Sequence, residues 1–217
     1  MAEEDYRIMS SVFDNTRIVG GAFLIIGFLE VIAAILAIIA GFEDPGEEIR
    51  MMIKNWTYYC VILGAGSLIC AILYAVFAFL VFSGTMSQKI EILASYVKIV
   101  GIITALGGVF GAIASIVGGL DIGASLISAA ILVVIGLIIV YIAGKINDGK
   151  QTTGDKIIWI ILMIAFILKL IFEALGIVGS FDPLSLSGIV SGIAGVVIAL
   201  FMIAFLFDSD VKTQMNM

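Results

Sequence analysis

Six long runs of apolar residues constrain this chain more than any other feature of it. A helix needs about 20 mostly apolar residues to cross about 30 Å of hydrocarbon. Residues 18–41, 58–82, 99–120, 122–143, 157–178 and 186–207 all meet that condition. None carries the polar stripe of a helix lying on a water-exposed surface. The third and fourth runs are separated by little more than Asp121. One helix over both would be about 68 Å long, over twice the hydrocarbon thickness, so the chain must turn back there. Gly118, Gly119 and Gly123 supply a permissive backbone for that turn.

Composition closes the alternatives. The chain is 62% apolar and 13% charged, against roughly 45–50% and about 25% in an ordinary soluble domain. A soluble globular fold and a disordered chain are excluded, and a net charge of −6 argues against nucleic acid as a partner. The expected fold is an all-α polytopic membrane protein, a single transmembrane domain over residues 1–217 whose main partner is the lipid bilayer. Residues 1–17 form an N-terminal segment, 42–57 an external loop, and 208–217 a cytoplasmic tail. The acidic leader, with Glu3, Glu4 and Asp5, and the length of the first run do not suit a signal peptide.

Orientation follows from lysine and arginine in the short loops. Arg7, Arg17, Lys89, Lys98, Lys145, Lys150, Lys156 and Lys212 fall on one side, and only Arg50 and Lys54 on the other. That bias predicts a cell-membrane protein with both termini in the cytoplasm. Trp56, Tyr58 and Tyr59 fall at the external interface, and Tyr96, Tyr141 and Trp159 at the internal one. Asn55-Trp56-Thr57 matches a glycosylation acceptor but abuts the membrane, and is read as a chance match.

The six spans read as three tandem hairpins. Arg17, Lys98 and Lys156 open them at the cytoplasmic edge, and each turns outside through a glycine, a large apolar residue and an aspartate. Glycine suits the end of the outgoing helix, and Asp44, Asp121 and Asp182 are expected N-caps of the returning helices. Either a true threefold repeat about a pseudo-threefold axis or a plain series of hairpins fits this pattern. In the first loop Glu47 sits at a capping-box position, and Ile49, Met52, Ile53 and Trp56 recur at helical spacing. The second span is therefore expected to begin as an amphipathic helix. Ile8, Met9, Val12 and Phe13 form a similar short face.

Helices in lipid gain no hydrophobic energy by associating, so close van der Waals contact must hold them together. Gly20, Gly27, Ala34 and Gly41 recur at sevens in the first span. Small residues recur at fours as Ser67, Ala71 and Ala75 in the second, as Gly107, Gly111, Ser115 and Gly119 in the third, which also carries Gly101 and Gly108, and as Ser187, Ser191, Gly195 and Ala199 in the sixth. These are expected packing seams. The fifth span lacks such a run and is expected to be more peripheral.

Glu30, Lys169 and Glu173 are the charges inside the spans. Unpaired, three such charges would cost about 8–10 kcal/mol on insertion scales, so they should face protein and pair. Aligned on the basic residues, Glu30 and Lys169 fall at equal depth, which predicts that they approach each other, with Glu173 about 6 Å further outward. Two carboxylates against one ammonium leave a surplus negative charge that a proton or cation would balance.

Histidine is absent, and Cys60 and Cys70 are about 15 Å apart along one helix, too far to bridge. With no catalytic pair and no metal motif, neither enzyme activity nor a cofactor is expected. The leading expectation is an accessory, structural or partner-binding membrane subunit with a buried ion network, joined to another membrane protein or a second copy of itself. The alternative is a small transporter or channel for protons, cations or a small solute, using Glu30, Lys169 and Glu173. A cavity reaching Glu30 or Lys169 favours the alternative; a dry, sealed core favours the subunit.

Overall fold

A computed structural model describes residues 15–150, 152–181 and 185–217. The described chain contains helices α1 (Thr16–Ala40), α2 (Glu47–Met52), α3 (Trp56–Phe82), α4 (Lys89–Gly118), α5 (Ile122–Ile146), α6 (Thr153–Gly179), α7 (Leu186–Phe207) and α8 (Ser209–Gln214). Six of them are long and apolar enough to cross a membrane. Large apolar side chains lie exposed along all six, among them Phe28, Phe79, Ile113, Ile138, Phe172 and Leu200. Such surfaces suit lipid.

Local chemistry sets the helix ends. Asn15 starts α1 by accepting the Arg17 N–H. Asp121 caps α5, its carboxylate accepting the Ala124 N–H at 2.6 Å. Gly119 ends α4 with φ at 88°, a left-handed conformation that favours glycine. The first turn differs from expectation. Gly46, not Asp44, sits at the cap of α2; Asp44 instead accepts the Gly46 N–H at 3.1 Å and pairs with Arg50 at 3.0 Å. Asp182 lies outside the described residues, as do Ile8, Met9, Val12 and Phe13. The cap of α7 is Ser185, whose hydroxyl accepts the Gly188 N–H at 3.2 Å.

The amphipathic helix expected to run into the second span is interrupted. It stops at Met52, and Ile53 is extended. Asn55 anchors the break to the end of α4, its side-chain amide donating to the Val117 carbonyl at 2.7 Å and its backbone N–H to Gly118 at 3.3 Å. Helix α4 begins at Lys89, ten residues before the expected start of the third span. Lys89, Glu91 and Lys98 dilute the apolar pattern there, yet Ile90, Ile92, Leu93, Tyr96 and Val97 are buried. Lys98 therefore lies about 13 Å inside the helix, whereas Arg17 and Lys156 fall within the first turn of theirs. Lys98 thus does not stand at the start of its helix as Arg17 and Lys156 do.

Consecutive long helices pair closely and antiparallel: α1 with α3, α4 with α5, α6 with α7. Between pairs, α3 packs on α4 and α1 on α7, while α5 and α6 touch only slightly. The six helices thus trace an arc in the order α5, α4, α3, α1, α7, α6. The interfaces between successive pairs are unequal.

Glycine makes two of the pairings. A Cβ on Gly20 would overlap the Phe82 backbone, and one on Gly136 would sit 2.5 Å from the Gly101 carbonyl. The sevenfold run in α1 is a seam against α3, with Gly27 at Ala75 and Gly41 at Cys60. The fourfold run in α4 is not. Nothing lies within 4 Å of a Cβ built on Gly107 or Gly111, and the seam against α5 is Gly101 and Gly108 instead. Helix α6 is peripheral as expected, and α5 equally so.

The arc is closed at one end. There Phe77, Val81, Leu93, Phe205 and Leu206 form a core. Residues 208–217 are not a free tail, because α8 folds back and buries Val211 and Met215 completely. Asp208 pairs with Lys89, and the Trp159 indole donates to the Leu206 carbonyl at 2.8 Å.

Candidate functional site

Glu30 belongs to a core-facing stripe of α1 that runs through Val19, Phe23 and Ile26. These positions recur at the three- and four-residue steps that put side chains on one helix face. Lys169 and Glu173 continue the equivalent stripe of α6, after Leu162 and Phe166. Helix α7 lies between α1 and α6 and offers Ser191 and Gly195, one turn apart. Two helices packed on a common neighbour therefore bring their charges to one place.

The expected direct pairing of Glu30 with Lys169 is not formed. Lys169 Nζ donates to Glu173 Oε1 at 2.5 Å on the same helix, while the Ser191 hydroxyl donates to Glu30 Oε2 at 3.2 Å. An i,i+4 pair needs no second helix to be positioned, so the local partner wins. Glu173 is held in place by α7, since a Cβ on Gly195 would occupy the position of its carboxylate. All three charges are about two-thirds buried or more, and none projects alone into lipid.

Glu30 and Lys169 meet in another way. Both line one partly open cavity of about 420 Å³ whose walls come from α1, α3, α4, α6 and α7. Its walls are mainly apolar, with Leu63, Ile99, Ile103, Phe110 and Ile198 among them, and Ser67, Cys70, Tyr74, Tyr96 and Thr104 also line it. The Thr104 hydroxyl is already committed to the Val100 carbonyl of its own helix at 2.8 Å. The Tyr74 hydroxyl has no hydrogen-bond partner although the residue is only 5% exposed. Buried polar groups in proteins are nearly always satisfied, and this one is shut in by protein, so Tyr74 lines the cavity with its ring rather than its hydroxyl.

No sequence pattern marks Tyr74 as a cavity residue. Tyr96, expected at the internal interface, is instead 2% exposed. It joins Phe23, Tyr74, Phe77, Phe166 and Phe201 in a cluster with neighbouring ring centroids 5.6–6.5 Å apart, which adjoins the cavity at its closed end. Cys60 is buried against Gly41, whereas Cys70 is half-buried on the cavity wall. Outside the bundle, a shallow groove around the Asp44–Arg50 pair is largely exposed.

Among the described residues no group of cysteines and carboxylates is placed to hold a metal ion. Compared with known protein families, curated proteins and solved structures, the chain matches none.

Proposed function

We propose that this chain is a small, non-enzymatic membrane carrier or channel for protons, cations or a small solute, with Glu30, Lys169 and Glu173 as its working charges. The observation that carries this reading is the cavity that reaches both Glu30 and Lys169. A structural ion network has no use for empty volume beside its charges, because close contact is what holds helices together in lipid. Sites in the middle of a helical array, formed by residues of several helices, are typical of transporters. In this reading the three antiparallel pairs are tandem hairpins of one domain. The positive-inside bias sets the sealed end and both termini in the cytoplasm, and the cavity lies on the external side of the sealed end.

The second reading, an accessory or structural subunit that meets a membrane partner or another copy of itself, is favoured by the glycine seams and by the sealed α8 end. Ion flux separates the two. Vesicles containing the purified chain should pass protons or a monovalent cation under an imposed potential. The combined replacements Glu30→Gln, Lys169→Met and Glu173→Gln should abolish that flux. A folded triple variant with unchanged flux would leave the network structural.

A further inference from the structure

We propose that the cavity's ligand is an organic monocation, an ammonium group carried on an apolar body; this rests on the carrier reading and names its substrate class. The charge balance comes first. Lys169 and Glu173 neutralise each other at 2.5 Å, which leaves Glu30 with the Ser191 hydroxyl as its hydrogen-bond donor. A half-buried carboxylate on a mainly apolar wall is stabilised by an opposite charge, and the space beside Glu30 is open. A proton alone would satisfy the carboxylate but would leave about 420 Å³ of mainly apolar cavity unexplained. That volume is of the size that takes small organic ligands.

The remaining features fit the same molecule. Tyr74 stands beside Glu30 on the cavity wall. The rings of Tyr74 and Tyr96 line the cavity, and aromatic rings attract cations that have lost water. Leu63, Ile99, Ile103 and Phe110 provide the apolar walls for the rest of the ligand. An anion would face the unbalanced Glu30, and a small inorganic ion would leave the apolar walls bare.

Cys70 on the cavity wall reports occupancy. The full chain, purified in detergent, is alkylated with iodoacetamide, and the modification of Cys70 is followed by peptide mass analysis. Tryptamine is the probe cation, and tryptophol, which replaces its ammonium with a hydroxyl, is the neutral control. Tryptamine should slow Cys70 alkylation at concentrations at least tenfold below those at which tryptophol does. Glu30→Gln, which keeps the shape and can still bond Ser191, should erase that difference. Tyr74→Leu, which removes a ring from the cavity wall, should weaken protection by tryptamine threefold or more. Equal protection by both compounds, or an unchanged tryptamine effect in Glu30→Gln, would overturn the assignment. If Cys70 reacts freely and neither compound protects it, the cation assignment falls while the carrier reading stands. If Cys70 does not react at all, both fall.

Discussion

The two halves of the helix array are made from the same apolar alphabet but filled differently. At the sealed end, Phe23, Phe77, Leu93, Met202, Phe205, Leu206 and Met215 are entirely or almost entirely buried, and α8 covers them. In the other half the buried positions are mostly small: Ala33, Ala34, Ala112, Ala114, Gly64 and Gly108. Helix α6 has no buried residue beyond Phe166. Large side chains converging from all six long helices close one end, whereas glycine seams hold helices in pairs and leave space between the pairs. Charge is tolerated where that space remains.

The largest expected effect tests the sealed end. Phe77→Ala removes a ring packed among Phe23, Tyr74 and Tyr96 and should lower stability by about 3 kcal/mol. Ile103→Ala on the cavity wall should cost less than about 1 kcal/mol, because the site is already open. Unfolding in detergent measures both, and equal losses would break the contrast. Next, Gly136→Ala forces apart the α4 and α5 backbones and should cost about 1–3 kcal/mol. Gly107→Ala and Gly111→Ala, at positions with open space, should be neutral or stabilising by up to about 1 kcal/mol. The same measurement sharpens the distinction between a seam and a wall.

Asp208→Ala removes a partner of Lys89 and the cap of α8, where Asp208 also accepts the Asp210 N–H. It should cost about 1–2 kcal/mol and speed proteolysis within residues 208–217. Unchanged cleavage would mean that α8 is held by Val211 and Met215 alone. The smallest effect is expected from Asp121→Ala, a lost cap worth about 1 kcal/mol, with the cavity and its charges undisturbed.

Much of this contrast was hidden in the amino-acid sequence. The interiors of the six long helices were legible because lipid-facing segments must be apolar nearly all round. The first ten residues of α4 were not, since Lys89, Glu91 and Lys98 interrupt the pattern while their neighbours are buried by other helices. Helix α8 is too short and too polar to announce itself. Glu30, Lys169 and Glu173 stood out as charges in apolar runs, but their partners depend on how α1, α6 and α7 are rotated, which no spacing along one helix records. Tyr96 was obscured because a tyrosine just ahead of a span reads equally well as an interfacial anchor, and Tyr74 because one tyrosine inside an apolar span has no spacing that marks a cavity wall.

The chain's own two cysteines test the account most directly. Cys60 lies in the α1–α3 seam and Cys70 on the cavity wall, so one protein carries a thiol in a close-packed seam and another on an open wall. In vesicles, a water-soluble alkylating reagent should modify Cys70 at least about tenfold faster than Cys60, since reactivity follows access to the thiolate. Equally slow modification of both would mean that the chamber is closed to water, and the central claim would fail.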